Sequence, residues 1–478
     1  MKTSRWLSLL VLCIGFLLIV VDVTIVNVAL PSIQNDLGFS QSGLAWVVNA
    51  YLIAFGGLLL LAGRLGDLVG RKRIFLIGLA VFTGASLLCG LSFAQPILIA
   101  ARFLQGIGGA ASSAVILAMI VTLFPEPVER AKAFGIVSFV ASAGAAVGLL
   151  AGGLITAAVS WHWIFFVNLP IGIATAVLAA RLLESDEGIG LGKGADVLGA
   201  VMVTAGLMLG VYTIVQTSEF GLGSPRTLVL GAASVGLLVG FVARQAAARN
   251  PILPLRIFRS RQVVGTNLVQ ALMTTAFFGF FFLGSLDLEQ VLGYGPMAIG
   301  LAFLPVAVVM ALFSIRLSAQ LIGRFGAWPM LIAGQVVVAA ALAMVGFGPT
   351  SPNYMTHLLV PMALLGLGGG LSFPALTMIA MAGVHPMDSG LASGLLNTTG
   401  QVGGAFGLAV LTTLAGARSV ELIHNGSTIP SALAGGYHLA WLVGACVVVA
   451  TTALAVWLLR TRESAEMPAA CIECEAAA

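Results

Sequence analysis

Apolar runs of about 20 residues recur along the whole chain, each bounded by charged, proline or glycine residues. A helix of that length crosses roughly 30 Å of hydrocarbon. The pattern predicts helices at roughly 7–30, 43–62, 74–93, 96–122, 133–157, 162–182, 196–216, 226–248, 262–286, 297–318, 327–347, 356–382, 391–416 and 436–460. That makes about fourteen spans, an even number. The first run holds an anomaly: from Leu7 to Val21 only Ser8 interrupts the apolar series, then Asp22 intervenes, and the pattern resumes at Val23.

Short loops rich in Lys and Arg stay in the cytoplasm. With the N-terminus inside, nearly all basic residues, among them Arg5, Arg64, Arg71, Lys72, Arg73, Lys132 and Arg256, fall on that side; only Arg226 and Arg418 fall outside. Both termini are therefore expected in the cytoplasm. Lys2 and Arg5 precede an apolar run without a small-residue cleavage site, so this segment reads as the first helix and not as a signal peptide.

A faint internal repeat emerges at an offset of 256 positions, which lays Gly70 on Gly326, Gly78 on Gly334, Gly144 on Gly400 and Gly148 on Gly404. One shared offset over separated segments suggests two related six-helix halves, with the helices between 196 and 248 inserted between them.

Composition narrows the function classes. The 478 residues are 59% hydrophobic and 8% charged, with a mean hydropathy of +1.07, against about 25% charged in a soluble domain. No segment remains for a sizeable soluble domain, so function must lie in the membrane bundle. The net charge of +4 sits in short loops and forms no basic, aromatic-interleaved patch, which argues against nucleic acid. Of five cysteines, Cys13, Cys89 and Cys446 lie in apolar runs; Cys471 and Cys474 form a CIEC tail that lacks the partner pair a structural zinc site wants. A reduced, disordered tail is the expectation.

The stretch "GRLGDLVGRKR" (63–73) combines glycines, one carboxylate and clustered cations between the second and third spans. Asp67 there either pairs with a neighbouring arginine or caps a helix N-terminus, a contact that makes and breaks as helices slide. A positive-inside anchor accounts for the arginines but not for the Gly and Asp spacing. The stretch resembles the signature loop of the major facilitator superfamily, whose charges help hold one gate conformation; this implies a gating role for Gly63, Asp67, Gly70 and Arg71. "VDVTIVNVALP" (21–31), "RFLQGIGGA" (102–110), "WHWIFFVNLPIG" (161–172), "PILPLRIFRSR" (251–261), "VLGYGPMAIGLAFLP" (291–305) and "GLASGLLNTTGQVGGAFG" (390–407) look like the fourteen-helix drug:proton antiporter branch.

Arg102 lies inside an apolar helix, where a charge costs about 2.5–3.5 kcal/mol and wants a partner or a cavity. Counting about 1.5 Å per residue, Asp22 sits about 24 Å above the cytoplasmic boundary and Arg102 about 21 Å above it. They share a layer, although depth leaves azimuth open. The arginine favours the ionised acid and burial the neutral one, so the pair reads either as a proton site or as a static ion pair. The resemblance implies proton coupling, with Gln105 and Asn27 as polar neighbours. Asp287 and Glu289, two positions apart near the outer end of the ninth helix, point in different directions; they either face the substrate cavity or are solvated at its mouth. Relatives in the branch more often carry uncharged residues there.

Gly144, Gly148 and Gly152 form a small-residue face for close helix packing. Where the branch usually carries a proline just after the second glycine, this chain has Leu149, and Gly400 stands where many relatives have an arginine. "GIGGAA" (106–111) imitates a dinucleotide fingerprint but begins inside an apolar helix and not at a strand-to-helix turn. No phosphate loop, HExxH or catalytic cluster is present in the sequence, so no metal and no enzyme activity are expected.

The expectation is an all-α polytopic membrane protein: a six-helix bundle at 1–182, inserted helices and linkers at 183–260, a second bundle at 261–460 and a cytoplasmic tail at 461–478. It would be a monomer in the cytoplasmic membrane that exports drugs, antibiotics or other amphipathic small molecules by alternating access, with protons as coupling ion and no other cofactor. Lipid and a small-molecule substrate are its partners. Transport of a physiological metabolite, or a receptor without transport, are the alternatives.

Overall fold

Proline and short polar side chains mark where the apolar helices begin. Ser40, Ser224 and Ser260 accept hydrogen bonds from the backbone N–H groups of Gly43, Thr227 and Val263, and prolines occupy the first turns of the helices that start at Gln95, Pro127, Pro225 and Pro296. Both devices satisfy or remove donors that a helix N-terminus leaves without partners. The computed structural model describes residues 5–184, 186, 188, 190, 196–221, 223–248, 250–349, 353–382 and 389–459; the tail with Cys471 and Cys474 lies outside them.

The first half comprises α1 (Arg5–Leu37), α2 (Gln41–Val69), α3 (Arg71–Gly90), α4 (Gln95–Leu123), α5 (Pro127–Ala158), the single turn α6 (Trp163–Phe166) and α7 (Asn168–Leu182). Next come α8 (Val197–Phe220) and α9 (Pro225–Ala247). The second half comprises α10 (Arg261–Gln290), α11 (Pro296–Leu312), α12 (Ser318–Phe325), α13 (Ala327–Gly346), α14 (Leu359–Ala382), α15 (Ser389–His424) and α16 (Ile429–Leu459). No strand occurs among the described residues.

Twelve helices among the described residues are long and apolar enough to cross a bilayer, against the fourteen that the apolar runs predict. The two that fall short are the apolar part of α5, Ala143–Ala158, and α11, Pro296–Leu312. Both belong to longer helical segments: Ala143–Ala158 ends the 32-residue α5, and a π-helical turn at Phe313–Leu317 ends regular α11 before the chain continues into α12.

The internal repeat is visible in the packing. Gly70 and Gly326 both adopt positive φ, 110° and 89°, as the single residues that join α2 to α3 and α12 to α13. A side chain on Gly78 would strike Ser112 and the Gly108 carbonyl; one on Gly334 would strike Ser372 and the Gly368 carbonyl. Likewise α5 lies against α1 through Gly144, Gly148 and Gly152, as α15 lies against α10 through Gly400, Gly403, Gly404 and Gly407. Gln34 on α1 and Gln290 on α10, 256 positions apart, hydrogen-bond to each other at 2.8 Å. A residue that meets its own counterpart marks the two-fold relation between halves.

Two seams join the halves, α5 against α11 and α2 against α15. Gly153 lies on the Pro296 carbonyl and Gly300 on the Leu149 carbonyl, while Gly56 lies against Thr398 and Gln401. The residue expected as a proline, Leu149, is thus buried in a seam between halves. The inserted α8 touches both α2 and α15 and carries α9 on its other side.

Where backbone approaches backbone, an added methyl group cannot be absorbed. Gly108→Ala would press on the Phe82 backbone, whereas a carbon added at Gly63 meets only Ala114 Cβ at 3.9 Å. Gly108→Ala is therefore expected to cost about 1–3 kcal/mol, read as earlier thermal unfolding in detergent, with Gly63→Ala unchanged. Identical melting of both variants would contradict this packing.

Candidate functional site

The first half closes around a polar cluster with no access to solvent. Asp22 is 0% exposed and Arg102 2%, and Arg102 Nη1 donates to Asp22 Oδ2 at 2.7 Å. The other carboxylate oxygen accepts from Gln105 Nε2 at 2.7 Å and from Asn168 Nδ2 at 2.9 Å. Ser86 Oγ lies 2.8 Å from Gln105 Nε2 and 3.4 Å from Asn168 Nδ2, and donates to the Phe82 carbonyl. Helices α1, α3, α4 and α7 thus each contribute one or two side chains to a single network.

Arg102 is held independently of its acid. Its Nε donates to the Val47 carbonyl at 3.0 Å and its Nη1 also reaches Gln105 Oε1 at 2.6 Å. The guanidinium lies 4.5 Å from the centre of the Tyr51 ring and 5.8 Å from that of Phe165, a cation–π arrangement that strengthens on desolvation. Besides its acid the arginine thus has an amide oxygen, a backbone carbonyl and two aromatic faces, neutral groups that fix its position while Asp22 alone supplies the countercharge.

Residue spacing accounts for part of this. Arg102 and Gln105, three positions apart, share one face of α4, and the depth match of Asp22 with Arg102 becomes direct contact. Asn27 does not join them: its Nδ2 bonds back to the Val23 carbonyl one turn earlier. Asn168, Ser86 and Tyr51 were not foreseen. Asn168 lies within "WHWIFFVNLPIG", where one amide in an apolar run was the available signal; Ser86 gave none, since serine tolerates a membrane helix by bonding its own backbone.

The "GRLGDLVGRKR" stretch is not a loop but the end of α2, one glycine and the start of α3. Arg71 Nη2 pairs with Asp67 Oδ1 at 3.1 Å, and Arg71 Nη1 reaches Thr122 on α4 at 2.8 Å. At Gly63 a side chain would meet only Ala114 at ordinary contact distance, and the close approach falls to Gly66, packed on Val115. The linker after α7 straps this corner. Asp186 accepts the backbone N–H groups of Arg71 and Lys72 at 2.7 and 3.1 Å, and Lys72 Nζ reaches the Ala180 and Leu183 carbonyls. Burial pushes the Asp186 carboxyl up, but these backbone donors and the Arg71 charge outweigh it and hold it below the ordinary carboxylate range.

At the C-terminal ends of α1 and α10, Asn35 donates to Glu289 Oε1 at 3.1 Å, beside the Gln34–Gln290 bond. Asp287 is buried at 2% exposure. The two acids thus differ in setting, as their spacing requires: Glu289 belongs to a contact between α1 and α10, and Asp287 to the interior.

The Major Facilitator Superfamily profile matches residues 12–408. The puromycin resistance protein pur8 of Streptomyces alboniger is 39% identical over 466 residues, covering 95% of this chain and 91% of its own length. The cephamycin export protein CmcT of Amycolatopsis lactamdurans is 39% identical over 456 residues, with 95% and 92% covered. Among solved structures, a bacterial homolog of the human lysosomal transporter Spinster, inward-facing and unoccupied, superposes with a TM-score of 0.68 at 18% identity over 96% of this chain and 98% of that one.

Removing one member of a desolvated pair leaves an uncompensated charge. Asp22→Ala is expected to destabilise by about 3–5 kcal/mol, and Asp22→Ala combined with Arg102→Met to recover most of it. Thermal unfolding of the purified variants reads both, and a single variant as stable as the parent would mean that the pair is not desolvated.

Proposed function

Because the chain belongs to the Major Facilitator Superfamily, in its branch of antibiotic and drug resistance exporters, we propose that it is a proton-driven antiporter that exports amphipathic small molecules, antibiotics among them. The observation that carries this reading is the Asp22–Arg102 network: a buried acid whose cationic partner has other ligands in place. Asp22 takes up the coupling proton and Arg102 tunes it. One conformational equilibrium, biased by proton and substrate alike, links the two fluxes.

The fold supports alternating access, with substrate between the halves. We count fourteen crossings by adding α5 and the continuous α11–α12 segment to the twelve, with bundles at 1–182 and 261–460 and the insertion at 183–260. An even count puts both termini on one side, and the positive-inside rule makes that side the cytoplasm, together with Arg64 of α2, Arg181 of α7 and Arg244 of α9. The unit of transport is the monomer, and protons are the only cofactor. The Asp67–Arg71 pair belongs to the cytoplasmic gate.

The second half has no matching polar site. At the offset of the repeat, Asp22 corresponds to Phe278 and Ser86 to Leu342, while the Gly108/Gly368 pairing places Met362 opposite Arg102. The central ion pair thus falls to one half, and its counterpart positions in the other, Phe278, Leu342 and Met362, offer an apolar wall. Such a wall suits amphipathic substrates.

One proton that crosses about 100 mV with about one pH unit supplies about 2.3 plus 1.4 kcal/mol, a gradient of several hundredfold for a neutral substrate. The test is substrate-induced proton release from everted vesicles, with puromycin and a panel of cationic, neutral and anionic amphipaths. The parent is expected to release protons with some of these, and Asp22→Asn to lose at least about nine-tenths of the response, as for loss of a group that carries the coupling ion. Undiminished proton-coupled transport in Asp22→Asn would sink the assignment.

A further inference from the structure

Below the contact that joins α1 to α10 at the outer end lies a buried acid, Asp287. Asp287 is 2% exposed, and its Oδ1 has no hydrogen-bond partner. Ser285 Oγ on α10 and Trp441 Nε1 on α16 are also buried without a partner. Three residues beyond Asp287, Gln290 makes two bonds that seal the outer end: its Nε2 donates to Gln34 Oε1 on α1, and its Oε1 accepts from the Tyr437 hydroxyl on α16, each at 2.8 Å. Asn35 and Glu289 add a third bond alongside.

An ionised carboxylate without a cation is costly in such a place. The charged and titratable groups on the elements packed against α10 do not offset it. On α1, Asp22 is committed to Arg102 and Asp36 accepts from Trp161. On α15, Arg418 is paired with Glu421 at 2.7 Å, and His424 bonds its own helix backbone. On α16, Tyr437 is bonded to Gln290, and the His438 ring lies 6.0 Å from that of Trp441. Before α14, the Tyr354 hydroxyl donates to the Ala302 carbonyl and His357 bonds Thr356; α11 carries no titratable residue. Among the described residues no salt bridge reaches Asp287.

We propose that Asp287 is a second proton-binding site, separate from Asp22, that holds its proton while the α1–α10 outer end is closed and releases it to water when that end opens. A group that binds a proton more tightly in one of two conformations biases the equilibrium toward that conformation. Acid outside therefore favours closure, and loss of the proton favours opening. Gln290 transmits this, being on the same helix turn and bonded to both α1 and α16. The inference deepens the antiport reading and rests on it for the alternation of the two ends, but its site is not the Asp22 network.

The test measures the outer gate directly. Phe93, between α3 and α4, and Phe347, between α13 and α14, are 81% and 79% exposed and lie on different halves. Spin labels at Phe93→Cys and Phe347→Cys, in the full chain with native cysteines replaced and held in nanodiscs, report the separation of the outer ends by pulsed electron resonance. As pH rises from about 5 to about 9, the open-to-closed ratio in the parent should rise, approaching tenfold per pH unit near the midpoint for one proton. Asp287→Asn, a mimic of the neutral acid, should stay closed throughout, while Asp287→Glu keeps a pH-dependent distance. Asp22→Asn should retain the response, which separates this outcome from any failure of the antiport assignment. A parent-like pH response in Asp287→Asn, or a parent distance that ignores pH, overturns the proposal.

Discussion

A charge pair removed from water governs the first half of this molecule. Asp22 and Arg102 are fully desolvated, and each would cost several kcal/mol if buried alone. Their contact is repaid through the hydrogen bonds that the surrounding polar groups supply to both. The consequence is architectural: α1, α2, α3, α4 and α7 must hold Asp22, the Val47 carbonyl, Ser86, Arg102, Gln105 and Asn168 in one geometry. Five helices tied to one network move as a body. Rigid halves are what a rocking mechanism needs, since strain would otherwise dissipate within each bundle.

Glycine supplies the complementary constraint. Helices α3 and α4 approach until Gly78 and Gly108 meet backbone to backbone, and α13 and α14 repeat this at Gly334 and Gly368. Close approach of this kind fixes orientation without polar cost, which is why the second half can dispense with a buried charge pair. The repeat thus conserves packing and not chemistry. Its counterpart of Asp22 is Phe278, whose ring lies against Gly404.

Much of this was legible in the sequence because membrane helices obey one-dimensional rules. Apolar run length located the helices, twelve of them long enough to span among the described residues, and a fixed rise per residue placed Asp22 and Arg102 at one depth. Azimuth does not follow from those rules, and Asn27, five residues beyond Asp22 on the same helix, reads as a polar neighbour of the pair although it bonds its own backbone. Ser86 and Asn168 went unnoticed because isolated small polar residues are common in membrane helices. The motif between α2 and α3 read as a loop because its charges and glycines resemble one, whereas a single positive-φ glycine suffices to turn the chain. Gly63 shows the same limit: its spacing fits the motif, yet Gly66 makes the close contact.

The two acidic regions pose different electrostatic problems, and the contrast explains how one chain can keep both. Asp22 is buried with a cation, so its charge is balanced where it stands and the network around it persists. Asp287 is buried with none, and its Oδ1 has no hydrogen-bond partner. A balanced pair can sit in the centre of a rigid body, whereas an unbalanced carboxyl has to lie where the body can open and admit water. Asp287 occupies such a place, on the helix turn that carries Gln290 and its bond to Gln34. That bond falls on the two-fold relation between halves, where a rocking motion produces separation at one membrane face and approach at the other. A charge-sensitive group there acts on the motion with little intervening structure, and the central pair is left undisturbed.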